Sequence, residues 1–226
     1  ALTLSGSNVT QWTNSVPGGT LFTQPSAFAT SPIYEPDAFG IGRGGIHFTN
    51  GAFLGSINKI ALTGTTGQTL NLTIYILTRS TASSYMMSGI GMQGDNNATA
   101  NQSGHCNFER QANAVVCNTS GVGQIWNTIA SGPAVPTGSG FEVVTLQKAA
   151  GQEPAVYIDG VLQTNTGTSQ LAPWNHSAFT NQSYYRIGNG WQHSFSNNVI
   201  GEVRLYDAAH TQSEVIGIVT ELAAKF

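Results

Sequence analysis

Ile200-Gly-Glu-Val-Arg-Leu-Tyr-Asp207, followed at once by Ala208-Ala-His-Thr-Gln-Ser-Glu-Val215, carries two periodicities in succession. In the first half Glu202, Arg204 and Tyr206 fall on one side of an extended strand and Val203 and Leu205 on the other, which predicts a half-buried strand. In the second half Thr211-x-x-Glu214 predicts a helix start, because the Thr hydroxyl accepts from an N–H of the first turn while Glu214 reaches back to the cap. Val215, Ile218, Val219, Leu222 and Phe226 then recur at helical spacing. The segment is expected to run as strand, tight turn and covering helix.

Working outward, Leu70-Asn-Leu-Thr-Ile-Tyr-Ile76 places Leu70, Leu72, Ile74 and Ile76 on one face, expected to be core. Phe141-Glu-Val-Val-Thr-Leu-Gln147 is apolar on both faces and is expected to be covered on both sides. Ala155-Val-Tyr-Ile-Asp-Gly160 followed by Val161-Leu-Gln163 reads as a hairpin about an Asp-Gly turn. Tyr184-Tyr-Arg-Ile-Gly188 before Asn189-Gly190 is a further strand and turn. Tyr85 to Met92 is a strand in a small, polar region. Phe48-Thr-Asn-Gly-Ala-Phe-Leu54 reads as strand with an Asn-Gly turn inside it, while prolines and glycines between Leu21 and Gly45 leave only short strands. No repeat, linker or composition step divides the chain. The expectation is a single domain over residues 1–226, all-β: a two-sheet antiparallel β-sandwich, or jelly roll, with a short C-terminal helix.

Of the 226 residues only 8% are charged, against about 25% in an average soluble domain. The net charge of −3 argues against nucleic acid as a partner. No apolar run reaches the roughly 18 residues of a membrane span, so no membrane insertion is expected. Seven Asn-x-Ser/Thr sequons, at Asn8, Asn71, Asn97, Asn101, Asn118, Asn175 and Asn181, suit a secreted glycoprotein or a particle surface. Cys106 and Cys117 flank a segment able to fold back as a hairpin and set them opposite each other, as a disulfide; two buried free thiols are the alternative.

Val156-Tyr-Ile-Asp-Gly-Val161, Tyr185-Arg-Ile-Gly188 and the strand and capped helix from Ile200 to Phe226 together resemble the laminin-G-like and pentraxin-like group of the concanavalin A-like lectin/glucanase superfamily. Ser7-Asn-Val-Thr-Gln-Trp12, Gln24-Pro-Ser26, Ser31-Pro-Ile-Tyr34 and Ile46-His-Phe-Thr-Asn-Gly51 resemble the same group, so the likeness covers nearly the whole chain. It implies a jelly roll that binds ligands in a groove or on rim loops. Members commonly carry an Asp in the loop after the first Trp; here the residue is Asn14, so the resemblance carries no calcium site over.

Gly89-Ile-Gly-Met-Gln-Gly94 fits G-x-G-x-x-G, but no amphipathic helix follows, and a strand end is the better reading. The Glu-x-Asp-x-Glu strand of the superfamily's glucanases is absent, and Glu35-Pro-Asp37 is the nearest carboxylate pair. No cofactor is required; Asp95 and Asn96 with loop carbonyls would suit a calcium ion. Aromatic rings beside amides are the best sugar-binding signal, since a ring stacks on the apolar face of a pyranose. They make Trp126, Trp174, His176, Tyr184, Asn189, Trp191 and His193 the candidate ligand residues. The expectation is a non-catalytic extracellular recognition module that binds a glycan or surface glycoconjugate through rim loops. The alternatives are a self-associating subunit of a virion or cell-surface appendage, and a carbohydrate-active enzyme, either a polysaccharide lyase or a glycoside hydrolase.

Overall fold

A computed structural model describes residues 1–24, 30–40, 42–49, 51–58, 60–61, 69–80, 85–91, 105–111, 113–120, 125–136, 140–164, 182–188 and 197–226. Among the described residues, seventeen short strands precede one helix. The chain opens with β1 (Leu2–Ser5), β2 (Asn8–Thr13), β3 (Leu21–Thr23), β4 (Ile33–Glu35), β5 (Gly45–Thr49), β6 (Phe53–Ser56) and β7 (Ile60–Ala61). The middle holds β8 (Leu72–Ser80), β9 (Tyr85–Gly91), β10 (His105–Gln111), β11 (Ala114–Ser120) and β12 (Ile125–Ser131). Then come β13 (Glu142–Lys148), β14 (Ala155–Ile158), β15 (Val161–Leu162), β16 (Gln182–Gly188), β17 (Asn197–Tyr206) and α1 (Gln212–Ala223).

Every pairing is antiparallel, and the pairings resolve into two sheets. The first runs β4, β5, β17, β8, β13, β14, β15. The second runs β3, β6, β16, β9, β10, β11, β12, with β7 also beside β16. Strand β2 belongs to both, since Asn8 pairs with Ile33 of β4 while Gln11 to Thr13 pair with β3. The apolar core lies between the sheets, with Ile74, Ile76, Val144 and Ile200 from the first facing Leu54, Phe108, Tyr185 and Ile187 from the second. This is the expected sandwich.

The Asn-Gly turn between Phe48 and Leu54 does not make a hairpin. Gly51 takes φ 82° and Ala52 N donates to Thr49 O at 2.8 Å, but the strands on either side, β5 and β6, lie in different sheets. The turn carries the chain across the core. The Asp-Gly hairpin is formed as expected: Ile158 pairs with Val161, Asp159 and Gly160 take φ 51° and 78°, and Asp159 Oδ1 accepts from Val143 N at 2.8 Å.

Strand β8 departs from the half-exposed reading of its sequence. Leu72, Ile74 and Ile76 face the core as expected, but Thr73, Tyr75 and Leu77 on the other face are fully buried as well. Helix α1 covers that face, setting Val215, Val219 and Leu222 on Tyr75, Leu77, Val143 and Tyr157. The capping box is complete: Glu214 N donates to Thr211 Oγ1 at 3.3 Å, and Thr211 N donates to Glu214 Oε2 at 2.7 Å. The polar atoms of β8 are satisfied by the connection into the helix. Tyr75 Oη lies 2.7 Å from His210 Nδ1, Thr73 Oγ1 donates to Ala208 O and accepts from His210 N, and burial pushes the Tyr75 phenol well above its ordinary pKa.

Outside the helix seat, Arg204 joins Glu202 at 2.7 Å and Glu221 at 2.8 Å, and Lys225 joins Glu202 at 3.1 Å. This is the surface pairing expected of Glu202 and Arg204, extended onto the helix. The Arg204 hydrogen bonds pull the Glu221 carboxyl down to about 2, and the bond from Thr211 N lowers Glu214. A carboxylate whose folded pKa lies below its unfolded one adds stability above the unfolded value and loses it as pH falls. The unfolding midpoint is therefore expected to drop as pH is lowered from about 5 to about 2, and Glu221→Gln should flatten that drop in urea titrations across the range.

Inside the sandwich, Arg110 of β10 meets Glu142 of β13 with Nε–Oε1 at 3.1 Å and Nη2–Oε2 at 3.2 Å, and its Nη2 also donates to Pro133 O at 2.7 Å. Both side chains are excluded from solvent. Removing one member strands a buried charge and is expected to cost about 3–5 kcal/mol, whereas replacing both by apolar residues of similar volume is close to neutral. Urea denaturation of Glu142→Ala should show that loss. The double variant Arg110→Met with Glu142→Leu should recover most of it.

Candidate functional site: the outer face of the second sheet

The ligand residues expected from the sequence fall in two groups. Trp174, His176, Asn189, Trp191 and His193 lie outside the described residues, as do Asp95 and Asn96 of the expected calcium loop. Tyr184 lies on β16 and is half-buried, and Trp126 lies on β12. The hairpin between the cysteines is formed, but they are not opposite each other: Cys106 pairs with Thr119 and Cys117 with Phe108. The register sets the two cysteines two positions apart along the ladder.

The register draws Tyr184 and Trp126 onto one sheet face. Tyr185 and Ile187 of β16, Phe108 of β10 and Val115 of β11 belong to the core, so alternate positions on these strands belong to the outer face. On that face Arg186 pairs with Gly89, Gly89 with Asn107, Asn107 with Asn118, and Asn118 with Trp126. One row of register positions thus crosses β16, β9, β10, β11 and β12. In the parallel row, Tyr184 pairs with Gly91, Gly91 with His105, and His105 with Ser120.

Two features shape this face. Gly89 and Gly91 have no side chain, so β9 adds no side-chain bulk at these positions between β16 and β10, and on the other side of Arg186 stands the buried Gly55. The Arg186 guanidinium lies 4.1 Å from the centroid of the Phe53 ring, and both residues are buried. A guanidinium removed from water gains more from the ring quadrupole than an exposed one, so this stack fixes the cation in place. Amide and aromatic residue types in one row can bind hydroxyl groups and the apolar face of a sugar ring together.

The carboxylate pair considered from the sequence is spent elsewhere. Glu35 closes β4 and holds His47 Nδ1 at 2.6 Å and Arg79 Nη2 at 3.0 Å, while Asp37 Oδ1 accepts from Gly42 N at 2.6 Å and closes a turn. The two have separate partners and do not flank a common space as an acid and a nucleophile would. Sequence reasoning missed Arg186, Asn107 and Asn118. The alternation of Tyr184-Tyr-Arg-Ile-Gly188 could have paired Arg186 with Tyr184, and Gly89-Ile-Gly91 could have been read as a strand floor.

No protein-family model matches the chain, and no curated protein sequence matches it. Solved structures do match in fold. The binding domain of botulinum neurotoxin serotype G aligns with 90% of this chain and 49% of its own length, at TM-score 0.55 and 11% identity. Trypanosoma rangeli sialidase in complex with sialic acid aligns with 98% of this chain and 32% of its own length, at 0.56 and 15%. Domain 4 of an extracellular arabinanase from Geobacillus stearothermophilus, in complex with arabinotriose, aligns with 84% of this chain and 82% of its own length, at 0.56 and 11%. The chain spans about half of the toxin domain and a third of the sialidase. At these identities the likeness is one of fold, a β-sandwich.

Proposed function

We propose that this domain is a carbohydrate-binding module that holds a glycan across the outer face of the second sheet, over β16, β9, β10, β11 and β12. The observation that carries this reading is the register row of Arg186, Gly89, Asn107, Asn118 and Trp126, with Tyr184 beside it. The residue types divide the work. Tyr184 and Trp126 suit stacking on a pyranose or furanose face, Asn107 and Asn118 suit paired donor and acceptor contacts to hydroxyls, and the buried Arg186, stacked on Phe53, supports the end of the row.

The β-sandwich neighbours support a glycan ligand, since one is bound to arabinotriose and another to sialic acid. The resemblance to the laminin-G-like and pentraxin-like group supports it from the sequence side. The sequons and the low charge go with a secreted or surface-displayed setting. Binding without chemistry is the preferred reading because the carboxylates that glycoside hydrolysis would use, Glu35 and Asp37, are engaged in separate structural contacts.

A glycan array carrying arabinan oligosaccharides and sialylated glycans, read with and without calcium, tests the reading. The expected result is at least one ligand retained at micromolar affinity. Tyr184→Ala and Trp126→Ala should each weaken it by about 3- to 10-fold, the worth of one aromatic stack. No retained glycan, or unchanged affinity in both variants, would overturn it.

A further inference from the structure

Among the described residues, strand β17 has an open edge. It pairs with β8 from Asn198 to Tyr206, but with β5 only from Asn197 to Ile200. Among the described residues the first sheet has no neighbour on that side beyond Ile200, where β5 begins at Gly45 and the chain before it is folded into the turns after Glu35. Among the described residues no strand pairs with the edge from 201 to 206.

A cavity of about 950 Å³ lies beside this edge, and residues 201–207 line it in unbroken succession. A strand met face-on contributes every second residue, so an unbroken run marks an approach along the edge. The wall opposite is apolar, built by Trp12, Phe22, Ile60, Tyr185 and Ile187. The rim is neutral in effect. Asn14 and Asn58 are uncharged, and the lining cations Arg204 and Lys225 are balanced by Glu202 and Asp207, with Glu202 ion-paired to both cations.

We infer that this cavity is the seat of an extended peptide strand from a partner protein, which adds to the open edge of β17 and completes the first sheet. The edge selects this occupant. Its main-chain donors and acceptors recur at the strand period over residues 201–206, about 20 Å, and only another strand matches that period. Pairing sets alternate side chains of the incoming strand toward Trp12 and Phe22, and the internally matched rim favours a segment uncharged over its centre. The site is separate from the outer face of the second sheet, so the two activities fail independently.

The experiment is a phage-displayed random library of peptides of about eight residues, panned on the folded wild-type domain and counter-selected on Asn58→Arg. Asn58 is exposed on the rim, and the longer side chain blocks the cavity without touching the core. Expected binders alternate apolar and polar residues, lose at least about tenfold in affinity when N-methylated at alternate amides of one register, and are indifferent to N-methylation at the intervening amides. Trp12→Ala should weaken them by a similar factor, and Asn58→Arg should leave glycan retention unchanged. Recovery of no peptide that discriminates wild type from Asn58→Arg, or a flat N-methyl scan, would overturn the inference.

Discussion

Strand β8 has no face to give to water. Its inner residues close the sandwich core and its outer residues are sealed, so the fold must supply a cover for each side. The second sheet provides one. A continuous apolar stripe on a single helix provides the other, and every feature of the segment from Asp207 to Gln212 serves to deliver that helix to its seat. The cap residue starts it at the right place. The His210 imidazole and Thr73 hydroxyl tie the incoming chain to the very strand being covered. Burial of Tyr75 and Thr73 without such partners would cost more than their packing returns.

Charge is used sparingly and at joints. The pair between Arg110 and Glu142 ties the two sheets through the interior; the cluster of Glu202, Arg204, Glu221 and Lys225 ties the helix to β17 at the surface; Glu35 of β4 gathers His47 of β5 and Arg79 of β8. Each cluster joins separate elements of the fold. Among the described residues, the few ion pairs of this chain thus serve to hold elements together.

Local patterns were legible in the sequence, and long-range ones were not. The capped helix, the Asp159-Gly160 hairpin and the two-sided burial of β13 each follow from a period or a turn residue within a few positions. Tyr75 and Thr73 looked like a solvent face because hydroxyls on alternate positions usually are one; only the placement of His210 and Ala208 shows where those hydroxyls go. The candidate site was harder still. Its row depends on the register of β16 against β9 and of β9 against β10, and a slip of one residue would send every side chain of a strand to the opposite face. Tyr184 and Trp126 stand out in the sequence only as aromatic residues in polar segments, and nothing local to either shows that Trp126 shares a register row with Arg186. The same dependence on register moved Cys106 and Cys117 off the direct pairing that their spacing implied.

The pairing of β17 with β5 and β8 has a bearing on how the chain reaches this state. Thr78 and Val199, hydrogen-bonded in the first sheet, are 121 residues apart in sequence, and the helix that seals β8 comes later still. Such distant partners raise the contact order and slow the search for the native topology. During synthesis, β8 is made with its core face and its outer face both bare, and neither can be finally covered until the last strand and helix leave the ribosome. The domain should therefore depend on folding assistance, or on rapid export, more than a helical protein of the same length does.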